Sequence, residues 1–466
     1  MRTSLQASKF RPETRITELG DGIADSVAPA NFPETTLRFR NDRWAATVGL
    51  DNLSDADWIA HFGRFRPLPG SLKQPLALRY HGHQFQVYNP DIGDGRGFLF
   101  AQLRDGGGRL LDLGTKGSGR TPWSRSGDGR LTLKGGVREI LATEMLDALG
   151  VNTSKTFSLV ETGEALHRGD EPSPTRSAVM TRLSHSHIRI GTFQRAAYER
   201  NDALMQRLVT YALEELYGET PGDQAPAQLL GRVVERTADL AASYMVAGFV
   251  HGVLNSDNIN VTGESFDYGP WRFTPQWDPA FTAAYFDHQG LYAFGRQAEA
   301  IHWDVAQLAV SLRLLSDAPP LIEQLERFPD VYAERMVTRF FWRLGLAPGT
   351  QTESTAFIEA AVKAMIETGT GIDRFFLDWR YGDVRGEVCA RAGFEDVREA
   401  IVGFSPTGSR ADHPYWRQDA PCSMHIAEVE AIWSAIDRDD DWRPLQAKVA
   451  AIRDMGEAMG DPPPIP

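Results

Sequence analysis

Between Gly93 and Gly136 the chain places 13 of its 43 glycines, in less than a tenth of its length. No long helix tolerates that density, because each glycine costs helical order and frees the backbone for turns. Glycine also lets backbone N–H groups turn toward a ligand. The segment is also basic. Arg96, Arg104, Arg109, Lys116, Arg120, Arg125, Arg130, Lys134 and Arg138 face only Asp105, Asp112 and Asp128, a local balance of +6 in a chain of net charge −13. A solvated basic face would look the same. Glycine and cations together suit phosphate.

The pattern inside this stretch is ordered. FQVYN, GFLFAQL and LLDLGTK read as three strands of a meander, the first two joined by the turn DIGDGRG. The third strand ends in Lys116. A helix follows, with Val137, Ile140, Leu141, Met145, Ala148 and Leu149 as its stripe, Gly150 as its stop, and Glu139 off the stripe. A glycine turn, a strand lysine and a helix glutamate in this order cover ATP phosphates, bind them, and hold the lysine. Each piece alone also fits a plain hairpin, a solvated lysine and a surface glutamate.

Further along, Leu229, Leu230, Val233, Val234, Leu240, Ala241, Tyr244 and Met245 mark a long amphipathic helix over 229–250. It runs into HGVLNSDNIN and then FDYGP. His251 and Asn258 are seven apart, as in a kinase catalytic loop, and Asp267-Tyr268-Gly269 stands where D-F-G would. Asn258 and Asp267 are the candidate metal ligands; an Asn/Asp-rich solvent turn is the competing reading. The catalytic aspartate of a kinase would stand at 253, and that residue is Val253, which cannot accept a proton. Asp257 precedes Asn258 instead.

The 466 residues are 42% hydrophobic and 24% charged, ordinary for a globular protein. The acidic balance argues against nucleic-acid and anionic-membrane partners. No apolar run has the length of a membrane span, and MRTSLQASKFRPETR lacks the apolar core of a secretory signal. Two cysteines, Cys389 and Cys422, exclude a cysteine zinc site and suit a reducing cytoplasm; one bridge between them is the alternative. His81/His83 and His185/His187 read as structural pairs, Trp303-Asp304 as part of a buried helix, and 320–460 as packed helices.

Over residues 80–310 the chain resembles the selenoprotein O family of protein adenylyltransferase pseudokinases. The strings that carry this are HGHQF, GDGRG, TKGSGRTPWSRSGDGR, VREILATEML, HGVLNSDNI, FDYGP and DHQGLYAF. The resemblance implies ATP bound in a flipped orientation and AMP transfer to Ser, Thr or Tyr hydroxyls of proteins, the chain itself among them. Pyrophosphate leaves, and UTP is an alternative donor. By position it implies nucleotide contacts at Gly93, Gly95, Arg96, Lys116, Asp128, Gly129, Arg182, Arg189 and Asp267. Glu139 would support Lys116, Asp257 would be the proton acceptor, and Asn258 and Asp267 would hold Mg²⁺ or Mn²⁺. Some relatives pair a C-terminal cysteine or selenocysteine with a cysteine in the segment where Ala283 stands here. The tail MGDPPPIP has neither, so no redox latch is expected.

The expected fold is α+β and protein-kinase-like. It has a strand-rich small lobe over 1–185, a mainly helical lobe over 186–460, and a disordered Pro-rich tail over 461–466. A kinase with a displaced base and a nucleotide-binding scaffold without catalysis are the alternative functions.

Overall fold

The computed structural model describes residues 9–169, 171–386, 393–408 and 410–465. Cys389, and with it the bridge considered for Cys422, lies outside the described residues, as do residues 1–8 of the N-terminal segment.

The small lobe is built on one antiparallel sheet. Its order is Ala24–Ser26, Leu76–Leu78, Leu99–Arg104, Leu110–Lys116, Thr175–Ser184, Lys155–Leu166 and Thr36–Arg40. Every residue of Leu110–Lys116 is buried, since the strand is covered on both faces. The helix Leu133–Ala148 packs on one face; the Thr132 side chain caps it by accepting from the Gly135 amide. Glu139 is buried on this helix and faces Lys116, not solvent.

The large lobe centres on the helix Ala225–Ala247, wrapped by Gln297–Leu312 and Phe328–Leu344 and therefore buried on most sides. It stops at Gly248, which takes a left-handed φ of 68°. Phe249–Val250 then pairs with Arg272–Phe273, and this short ribbon presents residues 251–271 to the space between the lobes.

Three expectations change. FQVYN is not the first strand of the main sheet. Val87–Asn89 pairs with Gly82–Gln84 in a separate hairpin turned by Phe85 and Gln86 at positive φ, and Leu76–Leu78 flanks Leu99–Arg104 instead. Backbone groups of that hairpin bind the large lobe: the His83 amide donates to Ser256 Oγ (2.7 Å) and the Phe85 amide to Asn255 Oδ1 (3.0 Å).

Secondly, the chain's last two helices, Ile426–Asp439 and Arg443–Met459, pack against Leu133–Ala148 of the small lobe. Val429, Ile432, Val449 and Ile452 share one core with Val137, Ile140 and Leu141, and Arg453 forks onto Glu144 at 2.7 and 2.8 Å. A boundary at 185 thus splits one packed unit. Thirdly, residues 461–465 are not a loose tail. The Asp461 carbonyl accepts from the Trp342 indole (2.9 Å) and the Pro464 carbonyl from Arg335 (2.8 Å).

Candidate active site

A cleft of about 810 Å³ opens between the lobes. Seven basic side chains line it (Arg96, Lys116, Arg125, Arg130, Arg168, Arg182, Arg189) against four carboxylates (Asp94, Asp128, Asp257, Asp267). The excess of cations suits a polyanion such as a triphosphate.

Sheet register explains why two cations separated by 66 positions meet. Met180 pairs with Lys116 and Arg182 with Gly114, so Lys116 and Arg182 project from the same face on neighbouring strands. The Lys116 ammonium pairs with the Glu139 carboxylate, and both are buried. Burial pulls the ammonium below its ordinary range, against the opposing pull of Glu139. Arg182 Nη1 lies 2.7 Å from Asp267 Oδ1. From the start of the helix Ile190–Tyr198, Arg189 Nη1 lies 3.0 Å from Asp267 Oδ2 and donates to the Asp257 carbonyl at 2.7 Å. Burial alone would raise Asp267. The guanidiniums of Arg182 and Arg189 and the Lys116 ammonium overcome that and hold its carboxyl well below the usual range. Asp267 also adopts a φ of +60°, rare outside glycine and typical of functional positions.

The loop after Val250 is tied down before it reaches the cleft. Burial keeps the His251 imidazole neutral, and its Nε2 bonds the Phe266 carbonyl at 2.9 Å. Asn258 Nδ2 donates to the Val253 carbonyl at 3.0 Å, which leaves the amide oxygen of Asn258 for another partner. Asp257 is 7% exposed, and its Oδ1 has no hydrogen-bond partner. Burial raises its carboxyl to about 6, with Arg189 pulling the other way. Gly82 lies against this carboxylate: a Cβ there would sit 2.6 Å from Asp257 Oδ1.

Gly93, Gly95 and Arg96 line the cleft from the first glycine segment. That segment is braced by the glycine-containing stretch 117–130. A Cβ on Gly93 would strike the Trp123 ring at 2.6 Å, and Thr121 Oγ1 donates to the Asp94 carbonyl at 2.5 Å. Asp128 and Gly129 line the far side, where Asp128 binds the Arg168 guanidinium at 2.8 and 3.2 Å. Of the residues singled out from the sequence, all but Glu139 line the one cleft, and Glu139 stands behind Lys116. The others of the nine basic residues are spread: Arg104 pairs with Glu13 and Glu215, and Lys134 with Glu430.

Sequence reasoning missed Asp94, Tyr80, Gln84 and Arg168. Asp94 stood in view inside GDGRG; it accepts from the Leu78 amide and lies 3.6 Å from Arg189. Arg168 gave no signal, because its partner Asp128 is 40 positions away on another loop.

Among the described residues no group of three or more His, Cys, Asp or Glu could hold a metal by itself. Asn258 and Asp267 offer an amide oxygen and a carboxylate. That donor set fits a hard divalent ion that completes its shell with water and phosphate oxygens. No described helix is long and apolar enough to cross a membrane.

The family described as "Protein adenylyltransferase SelO" matches residues 6–388 of this chain. A protein nucleotidyltransferase YdiU from Synechococcus elongatus is 41% identical, covering 96% of this chain and 96% of its own. Its namesakes from Synechocystis sp. and Gloeobacter violaceus are 40% and 42% identical, covering 95% of this chain and 97% and 94% of their own lengths. Among solved structures, a Toxoplasma gondii rhoptry antigen kinase domain is 12% identical and covers 62% of this chain and 84% of its own, at a TM-score of 0.26, too low to bear on the fold. With a cleft of this make-up and matches along nearly its whole length, the chain belongs to the SelO family of protein adenylyltransferases, a family of nucleotidyltransferase enzymes.

Proposed function

We propose that the cleft binds ATP with Mg²⁺ or Mn²⁺ and transfers AMP to Ser, Thr or Tyr hydroxyls of proteins. Asp257 carries the reading. Its buried carboxylate has an unpartnered oxygen in a cleft with seven cations, while Val253 fills the place a kinase base would take.

Asp257 accepts the proton as the incoming hydroxyl oxygen bonds to the α-phosphorus. The bond from that phosphorus to the α–β bridging oxygen breaks, and pyrophosphate leaves with the electron pair. Lys116, Arg182 and the arginines of the glycine segments neutralise the departing phosphates. Arg189 fixes the catalytic loop by its bond to the Asp257 carbonyl. Asn258 and Asp267 would hold the cation, which supplies charge neutralisation on the triphosphate. The two cysteines in 466 residues favour a cytoplasmic site of action.

ATP labelled at the α- or the γ-phosphate tests this. Protein-bound α-label is expected. Transfer of γ-label would establish a kinase instead, and transfer of neither a scaffold.

A further inference from the structure

Eight large apolar side chains are exposed among the described residues. Three of them, Val87, Tyr285 and Phe286, lie on the two segments that touch the catalytic loop; Tyr285 is 81% and Val87 70% exposed. A fourth, Tyr198, stacks on Tyr88 of the same hairpin at 5.7 Å. The hairpin 82–89 abuts Asp257 through Gly82 and Asn255 through the Phe85 amide. Gly252 lies against Ala283 and Ala284, immediately before Tyr285. Phe85 joins the two segments: its ring is 5.9 Å from Phe286 and 5.0 Å from Tyr292, and Phe286 is 5.1 Å from Tyr285.

These rings are not exposed because their loop is loose. The Asp287 carboxylate accepts from the Leu291 and Tyr292 amides at 2.9 and 2.8 Å, and Tyr292 Oη donates to Asn255 at 2.8 Å. The loop is pinned to the catalytic loop while two of its aromatic side chains face water. A fixed apolar patch of this kind marks a contact surface.

We propose that this aromatic ledge docks the segment of the acceptor protein that flanks the modified hydroxyl, by gripping an aromatic or aliphatic residue of that segment. The proposal rests on AMP transfer to protein hydroxyls. An acceptor hydroxyl must come within hydrogen-bond reach of Asp257. The chain that carries it must then cross the rim, where the hairpin lines the cleft beside Asp257 through Gln84 and Phe85 packs the 285–292 loop against it. Acceptors would thus be selected for an apolar residue close to the hydroxyl, with little demand on charge.

The test uses the full chain, a non-transferable ATP analogue and a peptide library with one central Ser and every flanking position varied in turn. Fluorescence anisotropy is expected to show preference for Phe, Tyr, Leu or Ile near the serine. The double variant Tyr285→Ala/Phe286→Ala should weaken those peptides by about tenfold, with analogue affinity unchanged. Val87→Asp, at the exposed start of the hairpin's second strand, should do the same without touching the loop. No preference in the wild type, or equal binding by the variants, overturns the ledge. Transfer of α-label is read separately on the same peptides. Ledge-dependent binding without α-label leaves the docking surface and removes AMP transfer. Transfer of α-label indifferent to flanking residue and variant does the reverse.

Discussion

Arg189 Nη1 stands 3.0 Å from Asp267 Oδ2, although the two residues are 78 positions apart. The same nitrogen donates to the Asp257 carbonyl, so one guanidinium fixes the candidate metal ligand and the candidate base together. Arg189→Ala should therefore lower the rate of α-label transfer by about 10²–10³-fold. Arg189→Lys should not rescue it, since an ammonium has neither the second nitrogen that faces Asp94 nor the flat guanidinium that stacks over Tyr80 and Phe266. Steady-state labelling of both variants checks this, and recovery in the lysine variant would refute the shared-anchor role.

Breaking the Lys116–Glu139 pair from either side should cost stability as well as activity. Lys116→Met leaves Glu139 buried without its cation, a loss of about 3–5 kcal/mol. Urea unfolding measures it. Glu139→Gln should keep more stability than Lys116→Met, because the ammonium left behind still has the Asp267 carboxylate to attract it and the Tyr268 carbonyl at 3.4 Å.

Asp257 and Gly82 should fail alike. Asp257→Asn should cut the rate by about 10²–10⁴-fold with nucleotide affinity kept, as expected of a proton acceptor. Gly82→Ala pushes a methyl against the same carboxylate and should lower the rate with nucleotide affinity likewise kept. Isothermal titration with ATP beside α-label rates separates the two quantities. Loss of affinity in Asp257→Asn would make this residue a ligand and not a base.

The acid limb of kcat/KM should lie near pH 6, where Asp257 titrates. Below it the carboxylate is protonated and cannot take the hydroxyl proton, so the rate falls about tenfold per pH unit. A cation at Asn258 favours the ionised form, so raising Mg²⁺ or Mn²⁺ should move the limb to lower pH. The sign for folding is opposite. The native value lies above the ordinary 3.8, so between 3.8 and about 6 this group alone makes the fold less stable as pH rises. Asp257→Asn should remove both effects.

Chelation should abolish α-label transfer, and Mg²⁺ or Mn²⁺ should restore it in the wild type. In Asp267→Asn the anionic ligand is gone, and restoration should fail at metal concentrations that saturate the wild type. Full restoration there would move the cation elsewhere in the cleft.

The order of parts along the chain was legible because each part has a local signature. Glycine density marked the turns, Lys116 ended an apolar strand, and the spacing from His251 to Asn258 and Asp267 follows from one loop and one ribbon. What joins distant segments was not legible from residue pattern. Arg182 and Arg189 came only from family resemblance, since the sheet register beside Lys116 and the helix start at Ile190 decide where they point. FQVYN has the alternation of a strand and is one in part, but its partner is set by the left-handed turn at Phe85 and Gln86, which no propensity predicts. The last two helices read as amphipathic. Nothing in their stripes says that the covered face belongs to a helix about 300 positions earlier.

That last contact bears on how the molecule is made. A chain leaving the ribosome from its N-terminus exposes the helix Leu133–Ala148 early, and the residues that cover its outer face, Val429 to Met455, emerge near the end. Every side chain assigned to the cleft has by then been synthesised, yet the helix carrying Glu139 still lacks its cover. A message cut short after residue 420 would yield a polypeptide with the full set of reacting groups and no fixed place for one of them.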